Sequence, residues 1–280
     1  MTFISTTDRS PAGVPGPLGP LRMTPGRWLA LAVAVPVALA LIGWTGFNLI
    51  STLARGSYPF SYTVPVTNGQ VAMNVTVGAI TLHGGPDGGP ARLTGTVQYG
   101  LVRPGISEFT TSAGTNLGVN CAGISTINCD VNATLDVPAK TGVTLWSNGA
   151  DVTASGFSSG MTLQAAGGGD LNGNGLSGNL QLITEGGNVG ANGMASQQVA
   201  VQSGGGNVTL AFAQVPRSLQ ITAEGGNVTV ILPPGNTKYA VSTPDTSGGN
   251  VSYPSSLVNS NSLHTITIDS GGGDVTIGQG

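Results

Sequence analysis

Residues 218–235 read SLQITAEGGNVTVILPPG. In an extended chain Leu219, Ile221 and Ala223 share one face, and so do Val228, Val230 and Leu232, because side chains alternate with a period of two. Gly225, Gly226 and Asn227 separate the two apolar triplets, and Pro233-Pro234-Gly235 closes the stretch. The pattern predicts two short strands and two corners, with an apolar face that one such unit cannot bury alone. Glycine reaches positive φ without steric cost and asparagine tolerates it, so both read as turn formers.

The corner recurs along the chain. Gly149-Ala150-Asp151-Val152 returns as Gly169-Asp170-Leu171, Gly187-Asn188-Val189, Gly206-Asn207-Val208, Gly226-Asn227-Val228, Gly249-Asn250-Val251 and Gly273-Asp274-Val275. A period of about 20 residues is the signature of a stacked array with one supersecondary unit per repeat. The fold class expected is all-β, a parallel β-solenoid or β-helix-like stack of about 20-residue repeats, preceded by one transmembrane helix. An antiparallel sandwich has no need of the same turn at such regular intervals and ranks second. In a solenoid, equivalent residues lie ~4.8 Å apart. Asp151, Asp170, Asn188, Asn207, Asn227, Asn250 and Asp274 should then form one structural column. Its amides would hydrogen-bond along the stack, with the aspartates toward its ends.

Composition agrees with such a core. Gly is 46 of 280 residues, charged residues are 8% and aromatics 5%, so small aliphatic side chains must fill the interior. Net charge is -3. Residues 1–55 hold Arg9, Arg22, Arg27 and Arg55 against Asp8, whereas the remainder is acidic. Clustered Lys or Arg, which phosphate binding requires, is missing, so no nucleic-acid partner is expected.

Residues 1–27, with Pro11, Pro15, Pro17, Pro20 and Pro25, cannot build a core and are expected to be a disordered cytoplasmic tail. Residues 28–50, WLALAVAVPVALALIGWTGFNLI, hold no charge and are long enough to cross ~30 Å of hydrocarbon. Trp28 and Trp44 stand near the ends, and three of the four flanking arginines precede the run, which places the N-terminus in the cytoplasm. A signal peptide cleaved near Ala38-Leu39-Ala40 is the rival, but the apolar run continues past that point. The expectation is an uncleaved single-pass anchor in the cell membrane, a linker at 51–57, and an extracytoplasmic β-solenoid over 58–280.

Cys121 and Cys129 are the only cysteines and lie eight residues apart in the external part. That setting favours a disulfide over a metal pair or a redox pair, since His83 and His264 are remote in sequence and no CxxC occurs.

Residues 136–156, DVPAKTGVTLWSNGADVTASG, and the GGN-V-T corners that follow resemble the adhesin domain of bacterial envelope proteins, a family of unknown function. The likeness covers about residues 70–280. It implies a β-helix-like stack, an extracytoplasmic location and a binding or envelope-stress role, and it carries over no catalytic residues.

Asp151 and Asp170 are the pair with most chemical interest. On adjacent rungs two carboxylates can approach ~5 Å, the separation retaining glycosidases use. Their neighbours are Gly, Ala, Asn and Ser, and their corner position already accounts for them. The Gly-Gly-Gly-Asp runs at 167–170 and 271–274 have about twice the period of calcium-binding β-roll repeats. Asn-Val-Thr and Asn-Val-Ser sequons coincide with turn asparagines followed by strand formers. The function expected is non-catalytic: a membrane-anchored binding, adhesion or envelope-stress module needing no cofactor or metal. Its partner would be an envelope polymer, a cationic peptide or another protein. The alternative is a polysaccharide lyase or hydrolase using Asp151 and Asp170.

Overall fold

The structure, a computed structural model, describes residues 25–53, 55–121 and 128–280; within 25–53, side chains are described for 32–46 and 49. Residues 1–24 of the expected tail lie outside the described residues. The chain divides into two compact units, Met1–Asn48 and Leu49–Gly280.

Helix α1, Pro25–Leu53, covers the apolar run and contains Pro36. Among the described residues no helix is long and apolar enough to cross a membrane. The expected transmembrane helix is thus not found among the described residues. Regular structure reaches into the stretch 51–57 from both sides. Residues 51–53 continue the helix, and strand β1, Gly56–Thr63, already begins at 56.

The second unit is all-β and is built of two facing sheets. In its regular part the chain alternates between them. β8 (Gly142–Asn148), β10 (Met161–Ala166), β12 (Leu180–Thr184), β14 (Gln198–Ser203) and β16 (Ser218–Ala223) belong to sheet B. β9 (Ala150–Ser155), β11 (Leu171–Asn174), β13 (Val189–Met194), β15 (Val208–Phe212) and β17 (Val228–Leu232) belong to sheet A. Neighbours within each sheet pair in parallel, one coil on the next. Inward residues stack in rows. One row of sheet B is Leu145, Leu163, Leu182, Val201 and Ile221, and one of sheet A is Val152, Leu171, Val189, Val208 and Val228; all are buried.

Both ends of the stack depart from chain order. At the C-terminal end, β18 (Ala240–Ser242) and β19 (Val251–Ser252) precede β20 (Thr265–Ser270) and β21 (Val275–Gln279) in sequence. In space β20 and β21 lie against β16 and β17, and β18 and β19 lie outside them. The outermost rung is therefore very short and interrupted by Pro244 and Pro254, which blunts the sheet edges. Tyr239 and Leu257 plug this end; Tyr239 is buried, and burial raises the pKa of its phenol.

At the other end, β2 (Gln70–Val75) and β3 (Gly78–Gly85) pair with β8 and β9. Beyond them lie β6 (Gly114–Asn120) and β7 (Asp130–Pro138). This terminal coil is covered by antiparallel strands: β5 (Gly105–Thr111) on sheet B, and β4 (Arg92–Tyr99) followed by β1 on sheet A. Cys121 and Cys129 form the disulfide, which joins the end of β6 to the start of β7 and so ties one sheet to the other.

The corner glycines divide between the role expected and a second one: Gly149, Gly167, Gly168 and Gly248 have positive φ, whereas the glycine directly before the Asp or Asn does not. None of Gly169, Gly187, Gly206, Gly226, Gly249 or Gly273 has positive φ. Instead each packs against the backbone of the next coil. A Cβ on Gly187 would stand 2.0 Å from the carbonyl oxygen of Gly169, and one on Gly206 2.0 Å from that of Gly187. Gly226, Gly273 and Gly249 repeat the arrangement at 2.1–2.3 Å. The adjacent Gly205 and Gly225 have open space where a Cβ would go. The corner thus holds a steric requirement at one glycine and none at its neighbour. Gly206→Ala should cost about 3 kcal/mol or more because backbone must move, whereas Gly205→Ala should be neutral or stabilising by about 0.5 kcal/mol. Thermal unfolding of the two variants checks this; equal effects would show that the corner is not packed in this way.

Candidate functional site

The corner column comes first because it carries the residues singled out from sequence. Asp170 N–H donates to Asp151 Oδ1 at 2.9 Å, and Asn188 N–H donates to Asp170 Oδ1 at 2.7 Å. Asn207 N–H donates to Asn188 Oδ1 at 3.0 Å, and Asn227 N–H to Asn207 Oδ1 at 2.9 Å. Asp274 N–H then donates to Asn227 Oδ1 at 3.0 Å, and Asn250 N–H to Asp274 Oδ1 at 2.8 Å. All seven residues lie in one column, and Asn250, not Asp274, ends it.

The interaction differs from the stacked amides expected. Each side-chain oxygen accepts a backbone N–H of the next coil. A reciprocal bond returns, as from Val189 N–H to Asn207 O at 2.8 Å and from Val208 N–H to Asn227 O at 2.9 Å. Only Oδ1 is required, so aspartate and asparagine serve equally. Where Asn follows Asp the amide adds a bond to the carboxylate: Asn188 Nδ2 to Asp170 Oδ1 and Asn250 Nδ2 to Asp274 Oδ1, each 3.2 Å. Such charge-assisted bonds are stronger than neutral ones.

A second polar column lies inside the corners and was missed in the sequence. Ser147, Thr184, Ser203 and Ser270 are buried. Ser203 Oγ donates to Gly206 O at 3.0 Å and Ser270 Oγ to Gly273 O at 2.9 Å; Thr184 Oγ1 donates to Gly169 O at 3.2 Å and accepts Gly187 N–H at 3.0 Å. These bonds fix the glycine carbonyls on which the next coil packs. The signal was a Ser or Thr three residues before the corner glycine, at the last inward position of the strand.

The sheet also brings together residues that have no context along the chain. Arg92, Asp136, His83 and Ser155 are successive partners across four strands of sheet A. His83 Nδ1 and Ser155 Oγ lie 3.2 Å apart and are exposed. Asp136 makes no hydrogen bond to the imidazole among the described residues. The N–H of Gly156, the group beside Ser155 that an oxyanion would need, donates to Asn174 O at 3.1 Å. This row therefore lacks the orienting acid and the oxyanion donor of a nucleophilic triad. His264 is structural: its Nδ1 donates to Pro216 O at 2.9 Å and its ring meets the edge of Tyr239. Among the described residues no group of three His, Cys, Asp or Glu is placed to hold a metal ion.

The larger depressions lie on the outer face of sheet B; a small one of about 170 Å³ lies beside His83 and Asp136 on sheet A. Depressions of about 560 and 330 Å³ lie over outward residues of β10, β12, β14 and β16, with Thr162, Gln181 and Gln220 along one and Gln202 and Thr222 along the other. A further pair, about 330 and 230 Å³, lies over β5, β6, β2 and β8. No strand of sheet B contains Lys or Arg; its outward rows are mostly hydroxyl and amide side chains, interrupted by Trp146, Ile183, Ala200 and Asp269, and Glu185 and Glu224 border the depression that holds Gln202 and Thr222.

No curated protein matches the chain in sequence. Among solved structures, an adhesin-designated protein from Bacteroides fragilis aligns at 17% identity over 80% of this chain and 97% of that one, with a TM-score of 0.46. One from Parabacteroides distasonis aligns at 11% identity over 80% and 97%, TM-score 0.42, and a cell-adhesion-designated protein from Clostridium sporogenes at 14% over 80% and 100%, TM-score 0.32. Likenesses at this level carry no argument about function.

The corner column generates a substitution test. Asn207→Asp should change stability by less than about 0.5 kcal/mol, while Asn207→Leu should lose about 1–2 kcal/mol through the unpaired Asn227 N–H. Urea titrations of both variants decide it, and a large loss in Asn207→Asp would contradict the shared role of Oδ1. The recurring Gly-Asx corner, the stacked parallel coils and a model match over residues 124–278 lead to one assignment: the chain belongs to the Toastrack DUF4097 family.

Proposed function

We propose that this chain is a membrane-tethered, non-catalytic binding module of the bacterial envelope, with the outer face of sheet B as its ligand surface. The observation that carries this reading is the location of the depressions over β5 to β16, on a face without basic residues and with amide and hydroxyl rows. Ligand sites are concave and place a few polar groups around an apolar floor, which this face does. The alternative enzyme would use Asp151 and Asp170. Asp151 Oδ1 is already engaged by the Asp170 backbone, and no depression described above includes either residue.

The tether is α1. Its described apolar side chains are exposed, Leu39 at 63% and Ile42 at 65%, as suits a helix solvated by lipid. Thr45 Oγ1 donates to Leu41 O at 2.8 Å, so its hydroxyl needs no partner outside the helix. The preceding arginines favour a cytoplasmic N-terminus and an external β-unit. A signalling role for the segment ahead of α1 would make the module part of an envelope-stress response; deletion of residues 1–24 with unchanged stress output would exclude that role.

Two experiments test the proposal. Protease added outside intact cells should degrade residues 56–280 and spare the N-terminus; full protection of the β-unit would refute the topology. Full-length protein in detergent should sediment with detergent-extracted, membrane-free envelope polymer and release no reducing sugar. Gln181→Trp with Gln220→Trp should abolish sedimentation by filling the sheet B depression, while Asn172→Trp on sheet A should not. Sugar release that disappears in Asp151→Asn would establish the enzyme instead.

A further inference from the structure

The only tryptophan of the β-unit is Trp146, and of its four phenylalanines Phe60, Phe157 and Phe212 are buried. Trp146 and the remaining one, Phe109, are 39% and 58% exposed, and both line the same depression of about 330 Å³. Folding hides large aromatic rings wherever it can, because each removes much apolar surface from water. Tyr62 and Tyr253 are exposed elsewhere, but only Trp146 and Phe109 turn their uncovered surface to a common hollow.

The register explains the shape of the hollow. On sheet B the outward row through Trp146 continues to Asn74, Gly118 and Ser107, and the adjacent row runs Thr144, Ala72, Asn116 and Phe109. Small residues, Ala72 and Gly118, form the floor. The rings stand at opposite ends, three strands or roughly 14 Å apart. Asn74, Asn116, Ser107 and Thr144 supply amide and hydroxyl groups between them.

The chemistry of this lining selects a ligand class. No charged side chain lines the hollow, so neither an anionic polymer nor a cationic peptide finds a counter-charge there. A purely apolar ligand would leave the amides desolvated and unpaired. A neutral sugar chain has hydroxyls that both donate and accept, and C–H faces that pack flat on aromatic rings. The depression of about 560 Å³ over β10 to β16 continues the same face with Gln181, Gln198 and Gln220 and no charged side chain, while Glu185 and Glu224 border the neighbouring one.

We propose that the outer face of sheet B binds a neutral polysaccharide, with Trp146 and Phe109 as stacking platforms at the two ends of the Asn74–Asn116 hollow. This rests on the reading of sheet B as the ligand surface and adds the ligand class and the anchor residues.

The test is affinity electrophoresis of the full-length protein in detergent through gels containing β-glucan, xylan, mannan or dextran, with heparin and poly-lysine as charged controls. At least one neutral polymer should retard the protein, and Trp146→Ala and Phe109→Ala should each weaken that retardation about tenfold, the size typical of aromatic anchors. Both side chains are half-exposed, so melting temperatures within a few degrees of the parent keep the variants interpretable. Asn172→Ala on sheet A should bind as the parent does. Retardation by a neutral polymer that is unchanged in both ring variants overturns the hollow as the site. Retardation by heparin or poly-lysine alone overturns the ligand class and leaves the binding-module reading standing. Retardation by none of the six overturns the ligand class. Shortening of the neutral polymer overturns the non-catalytic reading itself.

Discussion

The structure depends on the close approach of backbones at one corner. Successive Gly corners pack carbonyl against Cα with no room for a side-chain carbon, and the adjacent Asp or Asn uses that proximity to take the next coil's N–H. Neither half works without the other. A larger residue at the glycine would lift the coils apart and break the side-chain bond, and a residue without Oδ1 would leave an N–H unpaired at a tight junction. The buried Ser and Thr column holds the glycine carbonyls in place from inside. Everything else in the β-unit, the aliphatic rows and the two sheets, repeats at the interval this corner sets.

Much of this was legible because the repeat is local. The alternation in 218–235 placed Leu219, Ile221, Val228 and Val230 inward, and the period of the Gly-Asx pair ordered the coils as parallel. What the repeat could not show is anything set by three-dimensional neighbours. Positive φ and close packing both call for glycine, and only the position of the Gly187 carbonyl over Gly206 separates them. The same holds for the oxygen of Asn207, which could have bonded another amide or a backbone N–H. Chain order misled at the C-terminal end, where Asn250 precedes Asp274 in sequence yet lies beyond it in space. Nothing in one motif reveals that the next has been inserted beneath it.

The surface was least legible, for a physical reason. Solvent-facing positions of a solenoid are chosen with few packing constraints, so Thr144 or Gln181 looks like any outward strand residue until the rows are aligned. Alignment brought Trp146 and Phe109, 37 positions apart in the chain, to one hollow, and it placed His83 beside Ser155. The first grouping is concave and uses rings that the core has not taken up. The second borders only a small depression of about 170 Å³ beside His83 and Asp136, and the N–H it would need is committed to the sheet. A rigid stack with a long recessed face that is free of basic residues and mostly neutral is suited to holding an extended polymer by many weak contacts, without the precise pocket that chemistry demands.

Amide hydrogen exchange tests the corner most directly. The side chains of Asn188, Asn207, Asn227 and Asn250 are exposed and that of Asp170 is half-buried, so surface position alone would let their N–H groups exchange quickly. The account predicts that these amides exchange as slowly as those of the buried strand residues Val189 and Val208, because each is held by the oxygen of the coil before it. Rapid exchange at these amides, with slow exchange in the flanking strands, would contradict it.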